Sequence, residues 1–287
     1  MARTVPLAAA VNDLSGFGRC SLTVALPVLS AMGIQACPLP TALLSNHTAY
    51  DSCFFQDLTA SIPPYLAEWK KLGLSFDAIF TGFLGSWQQV SLVEEFVHGF
   101  RGEKTLFLAD PVMGDDGELY ATYDHSLCQG MARLAFQADV ITPNLTEACL
   151  LAEADHNQIA APGPGRLERI FQLGRQLAGR GPWGVVITGI QPDSPGQIGN
   201  LVIDRRAARE ELVLTPAVPR SFSGTGDVFA SVLCGRLIQG WPLLAAVRSA
   251  AGFVSQALAG SARENLPALD GVAFEPYLPL LWKETFP

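Results

Sequence analysis

The 287-residue chain is 49% hydrophobic and only 16% charged, a balance that implies a large buried core and excludes an intrinsically disordered protein. Its formal net charge of −8 and pI near 5.0 argue against a nucleic-acid-binding surface. The six cysteines, Cys20, Cys37, Cys53, Cys128, Cys149 and Cys234, include no C-x-x-C pair, so free thiols in a reducing cytoplasm are expected rather than disulfides or a zinc site.

An apolar run at 5–11, closed by Asn12-Asp13 without a cleavage site, reads as a strand and not as a signal peptide. Leu22, Leu26, Leu29 and Met32 recur at helical spacing, and Gly33 ends that helix. Pro27 inside it removes one hydrogen bond and is expected to kink it. A short strand is predicted at 34–39, a helix at 65–72 and a strand at 76–81. Val90, Val93, Val97 and Phe100 mark another helix, and 105–109 a strand ending at Asp110. A helix near 124–137 leads into a strand at 138–141. Residues 155–165, with Pro162-Gly163-Pro164-Gly165, are the most linker-like part and read as a surface loop. A helix at 166–179, a strand at 185–188, and an antiparallel hairpin at 197–215 around Arg205-Arg206 follow. Two helices then run from Asp227 to about residue 259. No uninterrupted apolar run is long enough to span a membrane. Residues 241–260 come nearest, and Arg248, Ser249, Ser255 and Gln256 interrupt them.

This alternation predicts one α/β domain over 1–287, a mainly parallel central sheet flanked by helices in three layers. Ligands bind such sheets at the carboxyl ends of their strands, so the loops at Asn12, Asp110, Thr142, Thr188 and Ser223 should gather at one edge.

The most informative stretch is Ser223-Gly224-Thr225-Gly226-Asp227, a glycine turn that opens an apolar helical run. Backbone N–H groups at such a helix start, reinforced by the helix dipole, form an anion hole. Asp227 adds a carboxylate beside it, a pairing suited to phosphoryl transfer to an alcohol. A helix cap alone is the alternative. Asp110, just after a strand and held by Pro111, and Asp115 in the same turn offer oxygen ligands for Mg²⁺. Asn144 and Glu147 have capping-box spacing, and Glu147 could also orient metal-bound water under a triphosphate. Ser15-Gly16-Phe17-Gly18 lacks the third glycine and the ribose-binding acid of a dinucleotide site, which weighs against a nicotinamide cofactor. Ser45-Asn46-His47-Thr48 is a polar loop whose lone histidine suits substrate contact as well as a structural role. No serine-hydrolase elbow, Walker A loop or protein-kinase signature is present.

Taken together, residues 110–115 (DPVMGD), 142–147 (TPNLTE) and 224–227 (GTGD), in that order, resemble the vitamin kinases of the ribokinase superfamily, and residues 45–50 (SNHTAY) resemble its pyridoxal kinase branch. The resemblance covers nearly the whole chain. It implies a ribokinase-like fold and ATP-dependent phosphorylation of a hydroxymethyl group on an aromatic heterocycle, with Mg²⁺ and, as a further candidate, K⁺. By that likeness Asp227 is the base, and Gly224, Thr225 and Gly226 form the anion hole. Asp110 and Glu147 manage Mg²⁺ and the ATP phosphates, with Asn144, Thr188 and Ser223 nearby. His47 and Thr48 face the pyridine ring. The resemblance also implies a homodimer without a separate lid domain. Two departures stand out. Phe83 occupies a position where pyridoxal kinases have tyrosine, keeping ring stacking but losing a hydroxyl. Asp13 falls where they place a serine, and residues 13–16 (DLSG) look more like hydroxymethylpyrimidine kinases, so Asp13 and Ser15 become candidate substrate contacts. The expected function is thus a pyridoxal, pyridoxine or pyridoxamine kinase. The alternatives are a hydroxymethylpyrimidine kinase of thiamine synthesis and a non-catalytic vitamin-binding protein.

Overall fold

The computed structural model describes residues 5–192 and 195–285. In chain order its elements are β1 (Leu7–Ser15), α1 (Ser21–Ala31), β2 (Gln35–Leu44), β3 (Phe55–Asp57), α2 (Ile62–Lys71), β4 (Ala78–Thr81), α3 (Trp87–Phe100), β5 (Leu106–Ala109), β6 (Gly114–Asp115), β7 (Glu118–Leu119), α4 (His125–Ala135), β8 (Val140–Ile141), α5 (Leu145–Ala152), α6 (His156–Ala160), α7 (Arg166–Ala178), β9 (Gly184–Ile190), β10 (Gln197–Asp204), β11 (Arg209–Pro216), α8 (Thr225–Ile238), α9 (Leu243–Arg263) and α10 (Leu278–Thr285).

Nine strands form one sheet in the order β11-β10-β9-β8-β5-β4-β1-β2-β3. The run from β2 through β1, β4, β5 and β8 to β9 is parallel, while β3 at one end and β10 and β11 at the other join antiparallel. From β1 the sheet grows to β2 on one side and to β4 on the other. That reversal opens a crevice at the carboxyl ends of β1 and β4, where open α/β sheets bind ligands.

Alternation along the strands builds the layers. Ala8 and Ala10 of β1 face Leu22 and Val28 of α1, Val228 and Phe229 of α8, and Ala246 and Ala250 of α9. Ala9 and Val11 face the other layer, with Val90, Val93 and Phe96 of α3, Met131 of α4 and Ile170 of α7. Small residues on β1 let the helices close tightly, and each fully buried large side chain contributes roughly 1.5–3 kcal/mol.

Several expectations are corrected. β1 and β2 run to Ser15 and Leu44, past the predicted ends at 11 and 39, because the two strands stay paired through a register shift between Asn12 and Leu14. Asn12 and Thr188 therefore lie within strands, not in loops. The 155–165 stretch contains α6, whose first turn is capped by Asp155 accepting from the Asn157 N–H at 2.9 Å. α1 continues through Pro27. The interruptions noted at 241–260 do not break α9, which is long and apolar enough, by length and composition alone, to cross a membrane. More than half of it is buried inside the fold, where it packs on α8, β10 and β11. All six cysteines are free, and burial pushes the Cys234 thiol up to about 12.

Candidate active site

The turn before α8 is shaped by two contacts. Gly224 adopts a left-handed φ of 73°, and a Cβ there would overlap the Arg19 carbonyl oxygen, so only glycine fits. Thr225 Oγ donates to the Phe222 carbonyl at 2.7 Å. Ser223 is half-buried and tied at both backbone groups, donating to Ala268 O at 3.1 Å and accepting from Val272 N–H at 3.2 Å. The first intrahelical bond runs from Val228 N–H to Gly224 O, so the N–H groups of 225–227 stand ahead of it. Gly226 is exposed with open space above it. The helix thus starts with leading N–H groups that no earlier carbonyl of α8 can accept from, beside an open Gly226.

Asp227 sits in the first turn of α8. Its carboxylate accepts from the Ser21 backbone N–H and, at 3.4 Å, from Asn12 Nδ2. Its pKa is pushed up to about 7 by burial, and next by the negative charge of Asp110. Asp110 follows β5 and is buried. Among the described residues only Thr142 Oγ donates to its carboxylate, at 2.7 Å. Burial raises its pKa to about 6. Glu147, also buried, accepts from Asn144 N–H at 2.8 Å and from Met113 N–H at 3.1 Å. Burial and then the Asp110 charge hold it well above the usual carboxylate range. The predicted capping box is present, since Asn144 Oδ1 accepts from Glu147 N–H at 2.9 Å. Asn144 also donates to Gly114 O at 2.8 Å, and it bridges to Thr188, whose N–H donates to Pro143 O at 2.9 Å.

The substrate-side residues divide. Phe83 is half-buried after β4, its ring edge-on to Tyr123 at 6.1 Å and its N–H donating to Asn12 Oδ1 at 2.9 Å. His47 lies over the first loop, its ring 4.7 Å from Tyr50 and its Nε2 2.6 Å from Leu269 O, and Thr48 beside it is exposed. Asp13 and Ser15 turn inward: both are buried, and Asp13 accepts from Ser15 Oγ at 2.8 Å and from Ser21 Oγ at 2.5 Å. Asp115 is exposed on β6, where it accepts from Asp116 N–H at 3.0 Å. No three His, Cys, Asp or Glu side chains among the described residues gather into a metal cage. Sequence reasoning missed Asn12 and Ser21, both of which donate to Asp227. The abrupt end of the apolar run of β1 at residue 11 was the available signal for Asn12. Ser21 had none, because its contribution is a backbone N–H.

A phosphomethylpyrimidine kinase family profile matches residues 26–268. The chain belongs to this kinase family. It is 32% identical over 256 residues to the pyridoxine/pyridoxal/pyridoxamine kinase of Bordetella avium, covering 85% of this chain and 81% of that protein. A Bacteroides thetaiotaomicron structure, provisionally assigned as a phosphomethylpyrimidine kinase and crystallised with pyridoxal, superposes with a TM-score of 0.89 at 42% identity, covering 97% of this chain and 96% of that one. Pyridoxal kinase from Lactobacillus plantarum gives a TM-score of 0.88 at 31% identity over 98% of both chains. The ribokinase-like three-layer fold expected from the motifs is therefore the fold of this family member.

Proposed function

We propose that this protein transfers the γ-phosphoryl group of ATP to the 5′-hydroxymethyl group of pyridoxal, pyridoxine or pyridoxamine, a step of vitamin B6 salvage. One observation carries the reading: a carboxylate with a pKa near 7 stands in the first turn of a helix whose leading N–H groups are open. A base poised near neutrality can take the proton of an alcohol, and typically contributes ~10²–10⁴-fold. The N–H groups of 225–227 would hold the negative charge of the transferred group. The three vitamers in the name of the Bordetella avium relative, and the pyridoxal in the Bacteroides structure, support the substrate class.

Asp110 and Glu147 fit Mg²⁺. They are two buried carboxylates, both raised by burial and Glu147 further by the Asp110 charge, an accumulation of negative charge that a cation relieves. Mg²⁺ needs only one or two carboxylates besides water and phosphate oxygens. Bound there, it would neutralise charge on the ATP phosphates. Asn144, Thr188 and Ser223 would border the nucleotide, and Phe83, His47 and Thr48 the vitamin ring. Leu43, Phe54 and Phe55, exposed on and beside the edge strand β3, support a homodimer. The free cysteines suit a cytoplasmic enzyme.

The test is kcat/KM with MgATP for the three vitamers and for 4-amino-5-hydroxymethyl-2-methylpyrimidine. A B6 vitamer should be the best substrate. Preference for the pyrimidine alcohol would place the enzyme in thiamine synthesis, and no turnover of any of them would contradict both readings.

A further inference from the structure

Asn12 is 3% exposed, and its carboxamide is committed on every side. Its Oδ1 accepts from Asp13 N–H at 3.0 Å and from Phe83 N–H at 2.9 Å, while Nδ2 donates to Asp227 Oδ1 at 3.4 Å. The reverse orientation would set the amide NH₂ against two N–H donors and its oxygen against a carboxylate, so the partners fix which way it points. Gly82 is tailored to it, because a Cβ at that position would overlap the Asn12 carboxamide. The amide is therefore wedged where the sheet order reverses, between β1, the 82–83 turn and the start of α8.

We infer that Asn12 is a positioning residue: one carboxamide fixes both the Asp227 carboxylate and the Phe83 backbone, and so sets the base relative to the ring platform. The inference rests on Asp227 being the base and deepens that reading. A carboxylate can rotate about its last torsion, and general-base transfer needs its oxygen within about 2.6–3.2 Å of the alcohol. Asn12 grips it from the β1 side. The Ser21 N–H grips it from α1, where Ser21 is held at a left-handed φ of 51° with its hydroxyl on Asp13. Misplacing a reacting group by about 1 Å costs on the order of 10²-fold.

A double-mutant cycle tests this. Wild type, Asn12→Ala, Asp227→Asn and the double variant are compared in single-turnover transfer to whichever alcohol the wild type prefers, with thermal melts run alongside. Asn12→Ala should lower the transfer rate by ~10–100-fold, the scale of one lost hydrogen bond to a charged group, and should raise KM for the alcohol by loosening Phe83. In the Asp227→Asn background the same substitution should change the rate by less than about threefold, since residues acting as a unit are not additive. Equal fold-losses in both backgrounds would overturn the inference in favour of a merely structural role. Near-normal turnover by Asp227→Asn alone would instead overturn the base assignment. If Asn12→Ala does not fold, Asn12→Asp serves, because it keeps the acceptor for both N–H groups and replaces the donor to Asp227 by an oxygen that repels it. It should lower the rate with KM unchanged, and a raised KM at an unchanged rate would contradict the proposal.

Discussion

The two edges of the central sheet are built from opposite chemistry. At the carboxyl edge, Asp110 and Glu147 are buried and Asp227 half-buried beside them; burial raises all three pKa values, and the Asp110 charge raises Glu147 and Asp227 further. No arginine or lysine donates to any of them among the described residues. At the amino edge, Asp139 meets a cation. Asp139 accepts from Arg101 at 2.8 Å and from Phe107 N–H at 2.9 Å. The carbonyls at helix C-termini there are covered by arginines: Arg180 donates to Leu151 O and Arg205 to Ala178 O, both at 2.7 Å, and Arg101 to Gln137 O at 2.9 Å. Helix C-termini carry partial negative charge, which these cations offset. At the amino edge the protein's own arginines offset Asp139 and the helix-end carbonyls, while the carboxyl edge is left acidic, at a cost in stability.

Four changes should break or sharpen this contrast. The largest effect is expected from Gly224→Ala, which forces a Cβ into the Arg19 carbonyl at a left-handed position. It should cost roughly 2–5 kcal/mol of stability and abolish measurable transfer, as read by denaturant melts and kcat. Next, Asp110→Asn removes one charge from the acid cluster. The Mg²⁺ concentration for half-maximal rate should rise by about tenfold or more, while the metal-free protein melts at a higher temperature because repulsion is relieved. A drop in both affinity and melting temperature would show Asp110 to be structural.

The third concerns pH. Asp110 and Asp227 have folded pKa values of about 6 and about 7, above the 3.8 of an ordinary aspartate. Between those limits the folded protein binds more protons than the unfolded chain, so stability falls as pH rises through the window and levels off above it. The metal-free Tm should drop by ~5 °C from pH 5.5 to pH 8, and Asp227→Asn should flatten the slope near pH 7. The smallest effect belongs to the amino edge. Asp139→Ala leaves the Phe107 N–H unpartnered and Arg101 with only its Gln137 carbonyl bond among the described residues, and should cost about 1–3 kcal/mol with kcat unchanged. A changed kcat would mean that the edges are coupled.

The alternation of elements and the glycine turn before α8 were legible because both are local: periodicity marks the strands and helices, and a G-x-G-D pattern opening a helix has one main physical use. Which carboxylates meet was visible only as loop order along the chain. The fate of Asp13 was not legible. Its sequence neighbourhood places it near a ligand, but the register of β1 against α1 turns it onto Ser15 and Ser21. Glu147 shows the opposite case: it forms the capping box and also stands within reach of the Asp110 charge. Its two oxygens accept two different N–H groups, so Glu147→Gln would set an amide NH₂ against a donor, which the local spacing alone did not reveal. Asn12 escaped notice because two of its three partners, Phe83 and Asp227, come from distant segments.

The central claim is that Asp227, raised toward neutrality at an unneutralised edge, takes the proton from the alcohol. The most direct measurement is kcat/KM for the vitamer alcohol as a function of pH in wild type and Asp227→Asn, at saturating MgATP. The account predicts a wild-type rate that rises with a midpoint near 7, and a variant slower by ~10²–10⁴-fold without that midpoint. A variant that keeps the wild-type profile, or turns over within a few-fold of it, would contradict the account.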